Sequence, residues 1–333
     1  MIGPLAAPWI EAQTTQLLAQ RGHAWLLAGP SGLGQYSLAL ALLRAWLCEQ
    51  PSAQGACGAC GSCHAVDVRS HADVCVLMPE TVMLELGWPL GEKAQADIDD
   101  KKRKPSKEIR VEAMRDAVEF SQRTSARGRG KAVLVFPAER MNNVSANALL
   151  KTLEEPPGDV RFVLASDAAH QLLPTIRSRC LGHTMVWPDT NASLTWIEEQ
   201  GIPAAQARIL LRAAGGRPED ALLFAQSGHD AQAWVRLPKA MARGDVSVLK
   251  DWTPAQTVDA LHKLCHDVLA VKTGASPRFF EMADLPAGGS LSGLSAWAKA
   301  LVAAARTVEH PFHTGLMLET LVSQAQNALN SGH

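Results

Sequence analysis

The sequence predicts an α/β fold: a parallel-sheet domain built around a loop of the phosphate-binding type, then a small helical domain and a second, larger helical domain. Three observations carry this expectation. The stretch 23–28 is a short apolar run that bends through Gly29-Pro30-Ser31-Gly32-Leu33-Gly34 and continues as a helical pattern over 38–43. Apolar runs at 71–77, 132–136 and 161–166 are separated by helical patterns, which favours parallel strands joined by helices. Past Pro188 the strand signals fade and Ala-, Leu- and Val-rich segments dominate. The expected domains are 1–187, 188–227 and 228–333.

With 333 residues, two or three domains are the prior. A hydrophobic content of 47% and a charged content of 20% fit a globular chain. No apolar run approaches the length of a membrane span. Met1-Ile2-Gly3-Pro4-Leu5 lacks the basic-then-apolar order of a secretion signal, so the expected location is cytoplasmic. The formal net charge of -1 does not imply strong nucleic-acid binding by the surface as a whole and leaves room for a local basic patch.

The glycine loop is the first functional signal. Glycines let backbone N–H groups wrap round phosphates at a helix N-terminus. In the full pattern, G-x-x-x-x-G-K-[ST], the lysine and the hydroxyl grip triphosphate and magnesium. Gly29 and Gly34 hold their places, but Gln35 stands where the lysine belongs and Tyr36 where the hydroxyl belongs. The cradle is drawn without its two gripping side chains. The plain alternative is an ordinary strand-to-helix loop.

Before that loop, 8–21 reads as an amphipathic helix with Trp9, Ile10, Leu17 and Leu18 on its apolar face. The helix after the loop ends before Pro51. Next come Cys48, Cys57, Cys60 and Cys63, spaced C-x8-C-x2-C-x2-C with glycines between. Tight C-x2-C turns let thiolates converge on one tetrahedral ion. Disulfides suit a cytosolic chain poorly, and no thioredoxin-like setting supports redox catalysis. Structural zinc is therefore expected, closed by four thiolates, with the neighbouring His64 outside it.

The run 71–77 is a second buried strand, with Cys75 as core. The stretch 80–107 is a long polar excursion, in which Asp97 to Lys104 set opposite charges side by side before Pro105. It is expected to be a mobile solvated loop, with DNA-phosphate contact as the rival role. A helix over 109–124 offers Val111, Met114, Val118 and Phe120 to the core. The strand 132–136 ends in Phe136 and Pro137, where an ATPase of this class carries a metal-binding Asp and often a catalytic Glu. Glu139 comes too late for that role. Asn142 or Asn143 can cap the next helix, Leu149, Leu150 and Leu153 share its face, and Pro156-Pro157 stops it.

Four groups of residues carry a resemblance. They are the loop Gly29 to Gln35, the four cysteines, the run Asn147-Ala-Leu-Leu-Lys-Thr-Leu-Glu-Glu-Pro-Pro157, and Ser178-Arg179-Cys180. On these the first two-thirds of the chain resembles the delta-prime-type subunits of bacterial DNA polymerase III clamp loaders, within the AAA+ family. The resemblance implies an α/β AAA+ domain with a zinc module, a helical lid and a helical collar. It implies a hetero-oligomeric ring with gamma/tau motor subunits and a delta subunit, which loads the sliding clamp on primer-template DNA. It also implies that this chain binds no ATP of its own and offers Arg179 in trans, as an arginine finger, to ATP on a neighbour.

Arg177 lies two residues earlier, but the motif points to Arg179. In active relatives the lid also supplies an arginine after Gly-Ser. Here Gly215-Gly216-Arg217-Pro218-Glu219 places Glu219 there, with Arg217 close by. The excursion 80–107 is long for the family. The alternatives are an active ATPase with an atypical loop, disfavoured by Gln35, Tyr36, Phe136 and Pro137, and a zinc-dependent DNA-binding module, disfavoured by the near-neutral charge.

Overall fold

Ala24-Trp25-Leu26-Leu27-Ala28 has no charge and no turn former, and it forms β1 (Ala24–Ala28). Continuous apolar runs of this kind suit a parallel sheet covered on both faces. In the chain order that follows, the structure is a computed structural model describing residues 7–228, 230–308 and 313–332. The segment Met1 to Leu5 lies outside the described residues. The chain divides into two compact units, Met1–Pro188 and Asp189–His333.

In the first unit α1 (Pro8–Leu18) precedes β1, and α2 (Gln35–Leu47) and α3 (Gly61–Asp67) follow it. Then come β2 (Val74–Leu77), α4 (Glu80–Glu85), α5 (Glu92–Asp99), α6 (Val111–Gln122), β3 (Lys131–Val135) and α7 (Asn143–Glu154). The unit closes with β4 (Val160–Ser166), α8 (Pro174–Arg177) and β5 (Leu181–Thr184). The sheet order is β2-β3-β4-β1-β5, parallel throughout. Leu27 pairs with Ala165 on one side and with His183 on the other.

The four strands expected from apolar runs are present. β5 was not expected, because Leu181, Gly182 and Thr184 are exposed at the sheet edge and leave no apolar pattern. The α7 cap is Asn142, whose side chain accepts from the Ser145 N–H at 2.9 Å. Leu149 and Leu153 of α7 are fully buried beside Phe162 of β4 and Met114 of α6. Each such side chain contributes about 2 kcal/mol of apolar burial. Val111, Val118 and Phe120 of α6 are only half-buried, and Ala117 takes the core position with Met114.

The expectation of a mobile loop over 80–107 is corrected. The stretch holds α4 and α5 and is anchored by a carboxylate. Glu80 accepts from the Arg103 guanidinium at 2.5 and 2.8 Å and from the Ser106 N–H at 2.7 Å. Its side chain is 12% exposed. The charges that look solvated in sequence pair with each other in space.

The second unit is helical: α9 (Thr190–Glu199), α10 (Ala204–Ala213), α11 (Pro218–Gln226), α12 (Ala231–Arg243), α13 (Pro254–Lys272), α14 (Leu291–Thr307) and α15 (Thr314–Leu329). Its core is aromatic. Trp234 stacks on Phe280 at 4.6 Å between centroids, and Phe224 meets Trp234 edge-on at 5.7 Å. The fully buried Asp267 accepts the N–H groups of Arg278, Phe279 and Phe280 at 2.6–2.9 Å and so holds Phe280 in that stack. Leu261, Leu264 and Val268 lie on the buried face of α13. On α15 the buried face is Leu321, Val322, Ala325, Ala328 and Leu329, while Leu316 points to solvent. Among the described residues no helix is long and apolar enough to cross a membrane.

The anchor of α4 and α5 is testable. Hydrogen bonds from Arg103 hold the Glu80 carboxyl below the usual glutamate range. Its anchoring is therefore complete above the ordinary glutamate pKa and is lost as pH falls through the depressed one. Glu80→Ala should raise tryptic cleavage at Lys101, Lys102 and Arg103 about tenfold at neutral pH. Wild type should approach the variant's rate under an acid-tolerant protease as pH falls below 4.5, the glutamate reference value.

Candidate functional site

The loop after β1 has the geometry of a phosphate cradle. Gly32 and Gly34 adopt φ of 76° and 96°, which a side chain at either position would strain. Gly29 is small for a different reason: a Cβ there would lie 2.9 Å from the Met185 Cβ. The loop then enters α2 directly at Gln35.

Gln35 is 2% exposed, and its side chain turns inward. Its Nε2 donates to the carbonyls of Gly29 and Pro30 and to Asp167 Oδ1, each at 2.8 Å. Two amide hydrogens are shared among three acceptors. Asp167 lies just past β4, where Glu139 steadies the chain: it accepts from the Ser166 hydroxyl at 2.7 Å and from the Asp167 N–H at 3.3 Å. Gln35 thus links the glycine loop to the end of β4. Glu139, which is too late to serve as the acid of β3, is part of this scaffold.

Tyr36 lies against Phe136, with centroids 5.2 Å apart. Its hydroxyl accepts from the Trp88 indole N–H at 2.7 Å. Trp88 is 6% exposed, and the Arg69 guanidinium sits 5.7 Å from its ring. Aromatic side chains therefore stand at the two positions, 36 and 136, where the full motif places the metal hydroxyl and the metal carboxylate. Sequence reasoning found Tyr36 and Phe136 but missed Trp88, Asp167 and the scaffold role of Glu139. The available signal for Trp88 was a large aromatic inside a charged stretch, which is seldom left exposed.

The four cysteines converge. Their sulfurs all lie within 4.8 Å of one another, with Cys48 Sγ to Cys60 Sγ at 3.9 Å and Cys57 Sγ to Cys63 Sγ at 4.0 Å. A disulfide needs roughly 2 Å. A tetrahedral ion with arms of about 2.3 Å needs edges of about 3.8 Å. The donor set fits a metal ion that prefers thiolates. Backbone N–H groups of Gln50 and Cys57 donate to Cys48 Sγ, and that of Cys63 to Cys60 Sγ. The Cys63 and Glu49 backbone bonds bring Cys60 down to about 6, whereas burial pushes Cys63 up to about 12. A bound cation would offset that burial cost. Glu49 braces the cluster by accepting from the Ser62 N–H, the Ser62 hydroxyl and Arg127. His64 is exposed and stands outside the sulfur set.

Arg179 follows α8. Its Nε and Nη2 donate to Glu154 Oε2 at 3.1 and 2.8 Å, and its Nη1 to the Thr175 carbonyl at 3.1 Å. The Arg179 side chain is 29% exposed and the Glu154 side chain 59%. Arg177 is exposed. In the second unit, Arg217 is paired with Asp220 at 2.7 Å, and Glu219 opens α11 with it.

The sheet order, the glycine loop after β1 and the helices on both sides define an AAA+-type α/β module. Its fold is similar to that of a gamma-subunit-related DNA polymerase III protein from Thermotoga maritima, with a TM-score of 0.50 and 16% identity over 96% of this chain and 99% of that one. The model of the family "DNA polymerase III, delta subunit" matches residues 11–185, and the chain belongs to that family. It is 40% identical over 215 residues to the DNA polymerase III subunit delta' of Pseudomonas aeruginosa, covering 63% of this chain and 58% of that protein. It is 32% identical over 241 residues to the delta' subunit of Escherichia coli, covering 71% and 65%. It is also similar to the tau subunit of Salmonella typhimurium, 32% identical over 207 residues, 60% of this chain and 28% of that one. The matched stretches span about three-fifths of the length of the first two relatives.

Tyr36 offers a direct probe, because it is the only tyrosine in the chain. Burial raises its hydroxyl above the ordinary value of 10.0, against the opposing influence of Trp88 and Arg69. Absorbance near the tyrosinate band should show one transition above that value in native protein and a return to it in denaturant. The stability linked to the neutral hydroxyl is intact below the unfolded value and is lost as pH rises through the folded one. A native midpoint at or below 10.0 would contradict the packing of Tyr36 under Trp88.

Proposed function

We propose that the chain is a non-motor subunit of a DNA polymerase III clamp loader. It helps load the sliding clamp onto primed DNA within a ring of gamma/tau and delta subunits. The observation that carries this reading is the inward Gln35 amide, tied to Gly29, Pro30 and Asp167. A lysine there would extend a cation toward phosphates; the glutamine amide spends its hydrogens on the loop itself. Tyr36, Phe136 and Trp88 add bulk where a metal hydroxyl and carboxylate would work. On this reading the chain holds no ATP and turns none over. The names of the delta' and tau relatives support the assembly.

Within the ring, Arg179 serves a neighbour's ATP in trans. Its present partner suits that task. An exposed ion pair such as Arg179–Glu154 is worth about 0–1 kcal/mol. A guanidinium held that weakly exchanges readily for a phosphoryl oxygen, which it binds in a fork. The metal is structural Zn²⁺ on Cys48, Cys57, Cys60 and Cys63, closed to substrate by its four thiolates. In the second unit, 188–227 acts as the lid and 228–333 as the collar that holds the ring together. The working location is the cytoplasm.

Two measurements test these roles. The first is DNA- and clamp-stimulated ATP hydrolysis by the reconstituted ring. The chain alone, and its Gln35→Lys form, should show no turnover. Arg179→Ala should slow the ring by roughly tenfold to a thousandfold while assembly survives. Turnover by the chain alone favours the atypical-loop ATPase, and an indifferent Arg179→Ala removes the trans role. The second is metal analysis, which should find about one zinc per chain. Chelation, or Cys60→Ser, should lower the melting temperature of the first unit, as loss of a structural ion does. Less than about half an ion in fresh protein would count against the zinc reading.

A further inference from the structure

The glycine loop occupies the C-terminal edge of the parallel sheet. The opposite edge, where β1 and β4 begin, carries a cavity of about 630 Å³. That volume lies within the range of small-ligand sites. Its lining includes Arg21, Arg129, Arg161, Asp159, Trp25 and Trp46. None of these residues takes part in the loop, the cysteine cluster or the Arg179 contacts.

Three arginines and one carboxylate line the cavity. Arg161 lies 3.4 Å from Asp159, whose side chain is 61% exposed. Arg21 and Arg129 are exposed and make no ion pair among the described residues. The Arg161 guanidinium also lies 5.8 Å from the centroid of the Trp46 ring, within cation–π reach. Trp25 and Trp46 are themselves buried, which makes them fixed walls.

The turn that carries Arg129 is held in place. Gly128 and Gly130 have φ of 70° and 80°. A Cβ on Gly130 would come within 2.5 Å of the Asp159 carbonyl oxygen, and the Lys131 N–H donates to that same oxygen at 2.8 Å. The chain carrying Arg129 and the chain carrying Asp159 and Arg161 are thus pinned together. Their backbones are set before any ligand arrives, which lowers the ordering cost of binding.

We propose that this cavity binds a nucleotide unit, a phosphate ester joined to a flat base, either free or within a single strand. The guanidinium forks match phosphate oxygens, and a guanidinium plane matches the face of a base. The excess positive charge is local, so it is compatible with a chain whose net charge is -1.

The test uses the full chain. Anisotropy reads a fluorescein-labelled thymidine decanucleotide, and calorimetry reads thymidine 5′-monophosphate. Arg21→Glu and Arg129→Glu should each weaken binding about tenfold. Each should also reduce the salt dependence by about one counterion. Arg208→Glu, on the exposed side of α10, should leave binding unchanged. Comparable affinity for both probes assigns a free nucleotide, and binding of the decanucleotide alone assigns a strand. Should charge reversal disturb folding by circular dichroism, Arg21→Gln and Arg129→Gln repeat the comparison. Absence of saturable binding for both probes, or binding indifferent to both arginines, overturns the proposal.

Discussion

The pairing of β1 on both of its edges is the constraint on which the rest of the first unit depends. Leu27 is fully buried, and its backbone runs between Ala165 of β4 and His183 of β5. That double ladder delivers Gly29 beside Ser166 at one end, where the Gly29 N–H donates to the Ser166 carbonyl at 3.3 Å. Asp167 is thereby brought within reach of Gln35. The same register places Arg179 and Cys180, just ahead of β5, at the other edge of the sheet together with His23 and Arg161. Parallel strands put every loop that follows a strand at one edge and every segment that precedes a strand at the other. The two ends of the sheet consequently carry different chemistry.

Gln35 illustrates how one side chain changes what such a loop can do while its backbone keeps the cradle form. A buried lysine ammonium needs an anion, because an unpaired charge out of water is costly. A glutamine at the same place is satisfied by neutral carbonyls and one carboxylate, all within 2.8 Å. The side chain thereby ties the loop to itself and to the end of β4. Trp88 adds a tie from a distance of 52 residues in sequence, through its bond to Tyr36. The segment containing α4 and α5, pinned by Glu80, is what presents Trp88 there.

Legibility in the sequence followed the range of the interactions. β1, β3 and β4 were readable because apolar side chains cover both faces, and that pattern is local. The C-x2-C spacing was readable for the same reason: short turns alone bring three of the four sulfurs near one another. β5 was not readable, since an edge strand with Leu181 45% exposed carries no apolar signal. The stretch 80–107 was misread because its order comes from Glu80 meeting Arg103, a partner 23 residues away that a local charge pattern takes for solvated. Phe136 and Tyr36 could be named as departures from a motif. Their contact with each other, and the bond from Trp88 to the Tyr36 hydroxyl, belong to the folded chain alone.

Gln35 and Arg179 differ in how firmly each side chain is held. Gln35 is held by three short hydrogen bonds at 2% exposure, and releasing them would leave its own buried amide unpaired at about 1–3 kcal/mol. Arg179 is held by an exposed carboxylate and one carbonyl, a contact worth about 0–1 kcal/mol that water replaces freely. The first arrangement resists change and the second invites a new partner. On the proposed reading this difference in cost, more than the absence of any one catalytic group, separates a subunit that assists from one that turns over.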